Sequence, residues 1–191
     1  MSALPAKQPD AFRKIATSLP GVIILEPRVF GDERGFFLES YNQRALAEHG
    51  IDVQFVQDNH SCSQRNVLRG LHYQVKQVQG KLVRAVVGEI LDVVVDLRRS
   101  SPTFKGWQAV RLSAENKRML WVPAGFAHGF RVTTEQAQVL YKATDYYAPE
   151  HERTLAWNDP DLKIDWELDG EPIVSAKDQR AVPLRAAETF E

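Results

Sequence analysis

The sequence predicts a mainly β domain, an antiparallel sandwich or barrel with a few short helices. Three observations predict it. Apolar and polar residues alternate with period two over stretches of strand length. These stretches recur roughly every 10 residues, strand plus turn. Between them lie segments such as "SAENK", "PAG" and "TTEQ", rich in residues that favour turns. The 191 residues are 43% hydrophobic and 26% charged, which suits one globular domain with a sizeable core.

Taken in chain order, residues 1–18 read as an N-terminal arm, since the first dozen hold two prolines and little pattern. The ordered domain is expected over residues 19–191, opening with "GVIILEPRVF". "YNQRALAEHGI" is the best helix, starting near Asn42, a residue type that caps helix N-termini, and closing at Gly50. "NVLRGLHYQ" sits among strand-like neighbours. A regular strand would send Arg69 and His72, three positions apart, to opposite faces. Gly70 between them offers a bulge or kink that re-aims its neighbours. "GKLVRAVVGEILDVVVDLRR" alternates on both sides of Gly88-Glu89 and suggests a hairpin of Leu82–Val87 with Ile90–Leu97. The stretch from Trp107 to Tyr147 breaks into further strands, and a second short helix is expected after "SAKD" near the C-terminus.

Composition narrows the function. Lysine and arginine (24) nearly balance aspartate and glutamate (25), and no basic run is present to follow a phosphate backbone, so nucleic acid is not an expected partner. Apolar runs such as "VIIL" fall far short of the roughly 20 residues needed to span a bilayer. The lone Cys62 has no intramolecular disulfide partner, and the N-terminus lacks the apolar core of a secretory signal. The expectation is a cytoplasmic protein with no membrane association.

Two histidines stand out, His72 in "RGLHYQ" and His128 in "PAGFAHGF"; His49, His60 and His151 lie among polar residues and call for no special role. An imidazole accepts a proton near neutral pH when a partner fixes its tautomer. Asp178 in "SAKDQR" is a candidate partner, although taken alone it is most simply a helix N-cap or a solvated residue. Tyr141 in "VLYKATDYY" is a candidate acid, against the plainer reading of a half-buried barrel tyrosine.

"VPAGFAHGF" resembles the second motif of the cupin superfamily. Many cupins hold a metal with a His-x-His pair, but the equivalent stretch here is "HYQ", and the amide of Gln74 is a poorer ligand than imidazole. A metal-free site using side chains alone is expected, with no cofactor.

A more extensive resemblance rests on six ordered blocks: "GDERGFFLESYN", "VQDNHSCSQRNVLRGLHYQ", "QGKLVRAVVGEILDVVVDLRRSSPTF", "LSAENKRMLWVPAGFAHGF", "LYKATDYYAPEHERTLAWNDP" and "SAKD". Together, from about Leu19 to about Pro183, they closely resemble the dTDP-4-dehydrorhamnose 3,5-epimerase family. The resemblance implies a metal-free cupin-type antiparallel β-barrel (jelly roll), active as a homodimer on a dTDP-4-keto-6-deoxy sugar. It makes His72 the base, Asp178 its orienting partner, Tyr141 the acid on the opposite face of the sugar, and Lys81 the cation beside the C4 carbonyl. It places His128, Arg34, Glu39, Gln57, Asn59 and Arg69 on the nucleotide-sugar, Tyr147 on the thymine, and Glu152 and Lys177 at further binding positions. An N-terminal strand exchanged between subunits would fit the family. Two rivals stay open: a relative that inverts only C3 or isomerises the ketone, and a sugar-nucleotide-binding cupin without catalysis.

Overall fold

The computed structural model describes residues 10–191. In chain order the strands and helices are β1 Phe12–Ala16, β2 Ile23–Pro27, β3 Val29–Asp32, β4 Gly35–Leu38, α1 Gln43–Glu48, β5 Gln57–Gln64, β6 Leu68–Gln74 and β7 Lys81–Val87. They continue with β8 Glu89–Asp96, β9 Trp107–Ser113, β10 Met119–Val122, β11 Phe126–Val132, β12 Gln136–Ala143, β13 Glu152–Thr154 and α2 Ala176–Gln179.

A six-stranded sheet, ordered β1-β2-β10-β7-β12-β5, packs against a five-stranded sheet, β13-β6-β11-β8-β9, while β3 and β4 form a separate ribbon. All the strand pairings within the two sheets are antiparallel. Alternation explains the layers. Val83, Ala85, Ile90, Val94, Val110, Leu120, Phe130 and Val139 meet in the core between the sheets. The intervening residues Leu91, Val93 and Val95 face outward and pack beneath the C-terminal segment through Leu155, Leu162, Trp166 and Leu184. On the far side, Leu46 and Ile51 cover Leu25, Leu82, Met119 and Trp121. Each fully buried aliphatic of this kind contributes about 2 kcal/mol.

The strands of the expected Leu82–Val87/Ile90–Leu97 hairpin form, but they do not pair. β7 lies between β10 and β12, and β8 lies between β11 and β9, in the opposite sheet. Gly88 makes the corner at φ +66°, where an added Cβ would sit 2.0 Å from the Gln136 carbonyl oxygen. The apolar faces of the two strands therefore close over the core instead of lying side by side. β5, β6, β7 and β8 alternate sheets in turn, as do β9 to β12, giving the barrel its jelly-roll character.

The ordered part also starts earlier than its pattern suggests. Phe12–Ala16, inside the stretch read as an arm, forms β1 and pairs along its whole length with β2. Residues 1–9 lie outside the described residues. The helix expectations are met closely: Asn42 accepts from the Ala45 N–H at 3.1 Å, and Gly50 turns the chain away at φ +86°. The second helix begins inside "SAKD" rather than after it, with Ser175 as its cap. Among the described residues, no helix is long and apolar enough to cross a membrane.

Candidate active site

A cavity of about 370 Å³ opens between the two sheets. Arg69, His72 and His128 come to it from β6 and β11 of the five-stranded sheet; Gln57, Asn59, Lys81 and Tyr141 come from β5, β7 and β12 of the six-stranded sheet. Tyr147, Glu152 and Lys177 also line it.

The ladder between β6 and β11 explains how Arg69 and His72 share one cavity. His128 pairs with His72 and Phe130 pairs with Arg69, so three steps on β6 match two on β11. The additional residue restores both side chains to the same face. Gly70 has φ +134°, and a Cβ there would lie 2.6 Å from the Gly129 Cα. Gly129 is equally constrained, because its own Cβ would meet the Arg69 carbonyl oxygen at 2.6 Å. Two facing glycines thus let the backbones close over the bulge.

His72 Nε2 is 2.6 Å from Asp178 Oδ1. Asp178 is 3% exposed and is not the helix cap; Ser175 takes that position by accepting the Asp178 N–H at 3.1 Å, which leaves the carboxylate free for the imidazole. Burial raises the Asp178 pKa, but the hydrogen bond and charge of His72 outweigh it, so the group stays below its ordinary value. An ionised carboxylate on Nε2 requires the proton there, leaving Nδ1 as the basic nitrogen.

On the other wall, burial raises the Tyr141 phenol above its usual pKa, although the positive charge of Arg69 opposes this. The group is a protonated acid at neutral pH. Burial drives Lys81 down to about 8, against the attraction of Glu152 and Asp92 and with repulsion from Lys177. Arg69 is held by its Nε–H on Ser63 Oγ at 3.0 Å. Gln57 donates to Asn59 Oδ1 at 3.0 Å, while Asn59 Nδ2 is buried without a partner among the described residues. At the mouth, Glu152 accepts from Lys177 Nζ at 2.7 Å and from the Tyr147 hydroxyl at 2.9 Å.

Two expected residues lie elsewhere. Arg34 and Glu39 are exposed, on or just beyond the β3–β4 ribbon, and neither lines the cavity. Arg34 pairs instead with Asp32. Gln74, standing where many cupins have a second imidazole, spends its amide on the backbone of Gln77, Tyr146 and Ala148. The sequence reading missed Ser61, Gln79, Gly129 and Phe130 in the lining. It also missed Asp92, buried at 0% exposure with both oxygens on His128 Nε2 at 3.0 and 2.9 Å. A carboxylate inside the apolar run "EILDVVVD" was the available signal.

A barrel cavity with a carboxylate-bound imidazole on one wall, a phenol on the other and an ammonium at its edge defines an acid–base enzyme of the cupin class. Residues 16–186 match the family model described as dTDP-4-dehydrorhamnose 3,5-epimerase. The chain belongs to that family. It is 63% identical over 174 residues to the dTDP-4-dehydrorhamnose 3,5-epimerase of Pseudomonas aeruginosa, covering 91% of this chain and 96% of the relative. The Legionella pneumophila dTDP-6-deoxy-D-glucose-3,5-epimerase, solved with dTDP-4-keto-L-rhamnose, superposes with a TM-score of 0.91 at 50% identity, covering 93% of this chain and 95% of that one. A 3′-monoepimerase from Streptomyces bikiniensis, solved with dTDP-quinovose, has a TM-score of 0.84 at 36% identity, covering 88% and 86%.

Proposed function

We propose that the enzyme inverts dTDP-4-dehydro-6-deoxy-D-glucose at C3 and C5, giving dTDP-4-dehydro-L-rhamnose for dTDP-L-rhamnose synthesis in the cytoplasm. The observation that carries this reading is the placement of His72 and Tyr141 on opposing sheets of one cavity, with Lys81 on its lining. Inverting a carbon beside a ketone requires removal of its proton from one face and delivery of another to the opposite face.

His72 Nδ1 takes the proton from C3, the electrons of that C–H bond pass to the C4 oxygen, and Lys81 donates a hydrogen bond to the enolate. Tyr141 then protonates the carbon from the other side and the carbonyl re-forms. The same exchange at C5 completes the reaction, with both groups recovering their protonation states through solvent. Arg69 meets the diphosphate with a planar guanidinium suited to paired phosphate oxygens, and Tyr147 meets the thymine. Gln57, Asn59, His128, Glu152 and Lys177 hold the remainder of the nucleotide-sugar.

Turnover in D₂O tests the assignment, with deuterium expected at both C3 and C5 of the product. Label at C3 alone would establish the narrower activity that the Streptomyces bikiniensis relative carries.

The enzyme acts as a homodimer in this reading. Val29, Phe30, Phe36 and Phe37 leave the β3–β4 ribbon with a large exposed apolar surface, of the kind that marks an interaction site. A second copy covering the ribbon brings Arg34 and Glu39 to the partner's nucleotide-sugar. Sedimentation equilibrium is expected to give twice the chain mass; a single-chain mass at micromolar concentration would refute the dimer.

A further inference from the structure

Asp92 stands in the inward-facing row Ile90, Asp92, Val94 of β8, flanked by aliphatic side chains that are wholly buried. The other buried carboxylates on or near these strands hold backbone or turns in place. Asp96 binds Arg98, Ser101 and Thr103, and Asp159 accepts the N–H groups of Asp161 and Leu184. Asp92 caps nothing and pairs with no arginine. Among the described residues, the only hydrogen-bond partner of its side chain is His128 Nε2. A carboxylate buried in an apolar row costs several kcal/mol unless compensated, and nothing in the fold requires one at this position.

His128 and His72 are directly opposed in the β6–β11 ladder, both line the cavity, and each binds an aspartate through Nε2. The site therefore contains two imidazole–carboxylate pairs, of which the reaction as written uses one as a base. We infer that Asp92 is a positioning residue for this epimerisation: it fixes His128 as its Nε2–H tautomer, with Nδ1 an acceptor for a sugar hydroxyl, and places a carboxylate within electrostatic reach of Lys81. The inference rests on the epimerase reading above. His128 Nδ1 has no protein hydrogen bond among the described residues, so the acceptor is unspent. Asp92 and Glu152 together oppose the effect of burial and of Lys177 on the Lys81 ammonium. His72, His128, Arg69 and Tyr141 line the same cavity, and Asp92, buried on β8, reaches it through His128.

Asp92→Asn preserves shape and removes the charge. With dTDP-4-dehydro-6-deoxy-D-glucose, the expected result is a kcat about 10-fold or more below wild type, on the scale of one weakened acid–base contribution, with KM little changed. The alkaline limb of the pH profile should move about 0.5 unit or more toward acid, because Lys81 loses an attractive neighbour. An unmoved limb, whatever the kcat, overturns the inference, since a merely structural role leaves the titration of Lys81 alone. Should the variant fail to fold, ¹⁵N-histidine NMR of the unmodified enzyme reads the same point without substrate. His128 protonated only at Nε2 near neutral pH supports the inference; a proton on Nδ1, in a neutral or a cationic ring, overturns it. A wild-type enzyme inactive on this sugar would defeat the epimerase reading instead, a result separate from the tautomer.

Discussion

A His72→Ala variant is expected to lose about 10³-fold in kcat, within the range of a general base, while keeping its thermal midpoint within a few degrees. The side chain is only partly buried, and its polar contact is with a single carboxylate, so little packing is lost. In the proposed mechanism its role depends on Asp178, which holds the proton on Nε2 and stabilises the imidazolium that forms when Nδ1 takes a proton from carbon. Asp178→Asn should therefore cost about 10²-fold. Because the two act as a unit, the double variant should be scarcely worse than His72→Ala alone. Steady-state rates at matched folding, checked by circular dichroism, decide the matter. Retention of more than a tenth of wild-type kcat by His72→Ala would remove the imidazole from the mechanism.

Lys81→Met is expected to lower kcat by about 10²- to 10³-fold, the usual cost of deleting one preorganised oxyanion donor. The more specific expectation concerns pH. The donor is the protonated ammonium, and burial holds its pKa at about 8 rather than 10.5. The activity of the unliganded enzyme, read as kcat/KM, should fall as pH rises through about 8. Stability carries the opposite sign. Folding disfavours the charged lysine, so this destabilising contribution is fully present below pH 8 and disappears as pH rises toward 10.5. Loss of activity above pH 8 should thus occur without unfolding attributable to Lys81. Lys81→Arg, charged throughout this range, should be slower than wild type yet lack the limb near 8. A limb that persists unchanged in the arginine variant would assign it to another group.

Much of the fold is legible in the chain. The alternation of Val83, Ala85, Ile90 and Val94 identifies strands and their inner face, and Asn42, Gly50 and "SAKD" locate the helices to within a few residues. The sheet to which each strand belongs is not legible. A tight turn at Gly88 reads the same locally whether the chain folds back on itself or rounds a corner, and contacts with Thr134 and Gln136, more than 40 residues away, decide between them. The site divides in the same way. Arg69, His72, Lys81, His128, Tyr141 and Asp178 are carried by motifs, although the His72–Asp178 contact spans 106 positions and no local pattern reveals it. Asp92 was hidden because a local reading treats it as an interruption of an apolar strand. Only the register of β8 against β11 brings it within reach of His128.

The mismatch of one residue between β6 and β11 makes the wall of the site a matter of parity. Upstream of Gly70 the strand counts odd positions inward; downstream it counts even ones. Deleting a residue there would leave a more regular ladder, yet send either the guanidinium or the imidazole out through the back of the sheet. A backbone defect tolerated by two facing glycines is thus what lets Arg69 and His72, the residues proposed for phosphate recognition and proton transfer, face one cavity from one strand, and the length of that segment is constrained as tightly as the identity of its side chains.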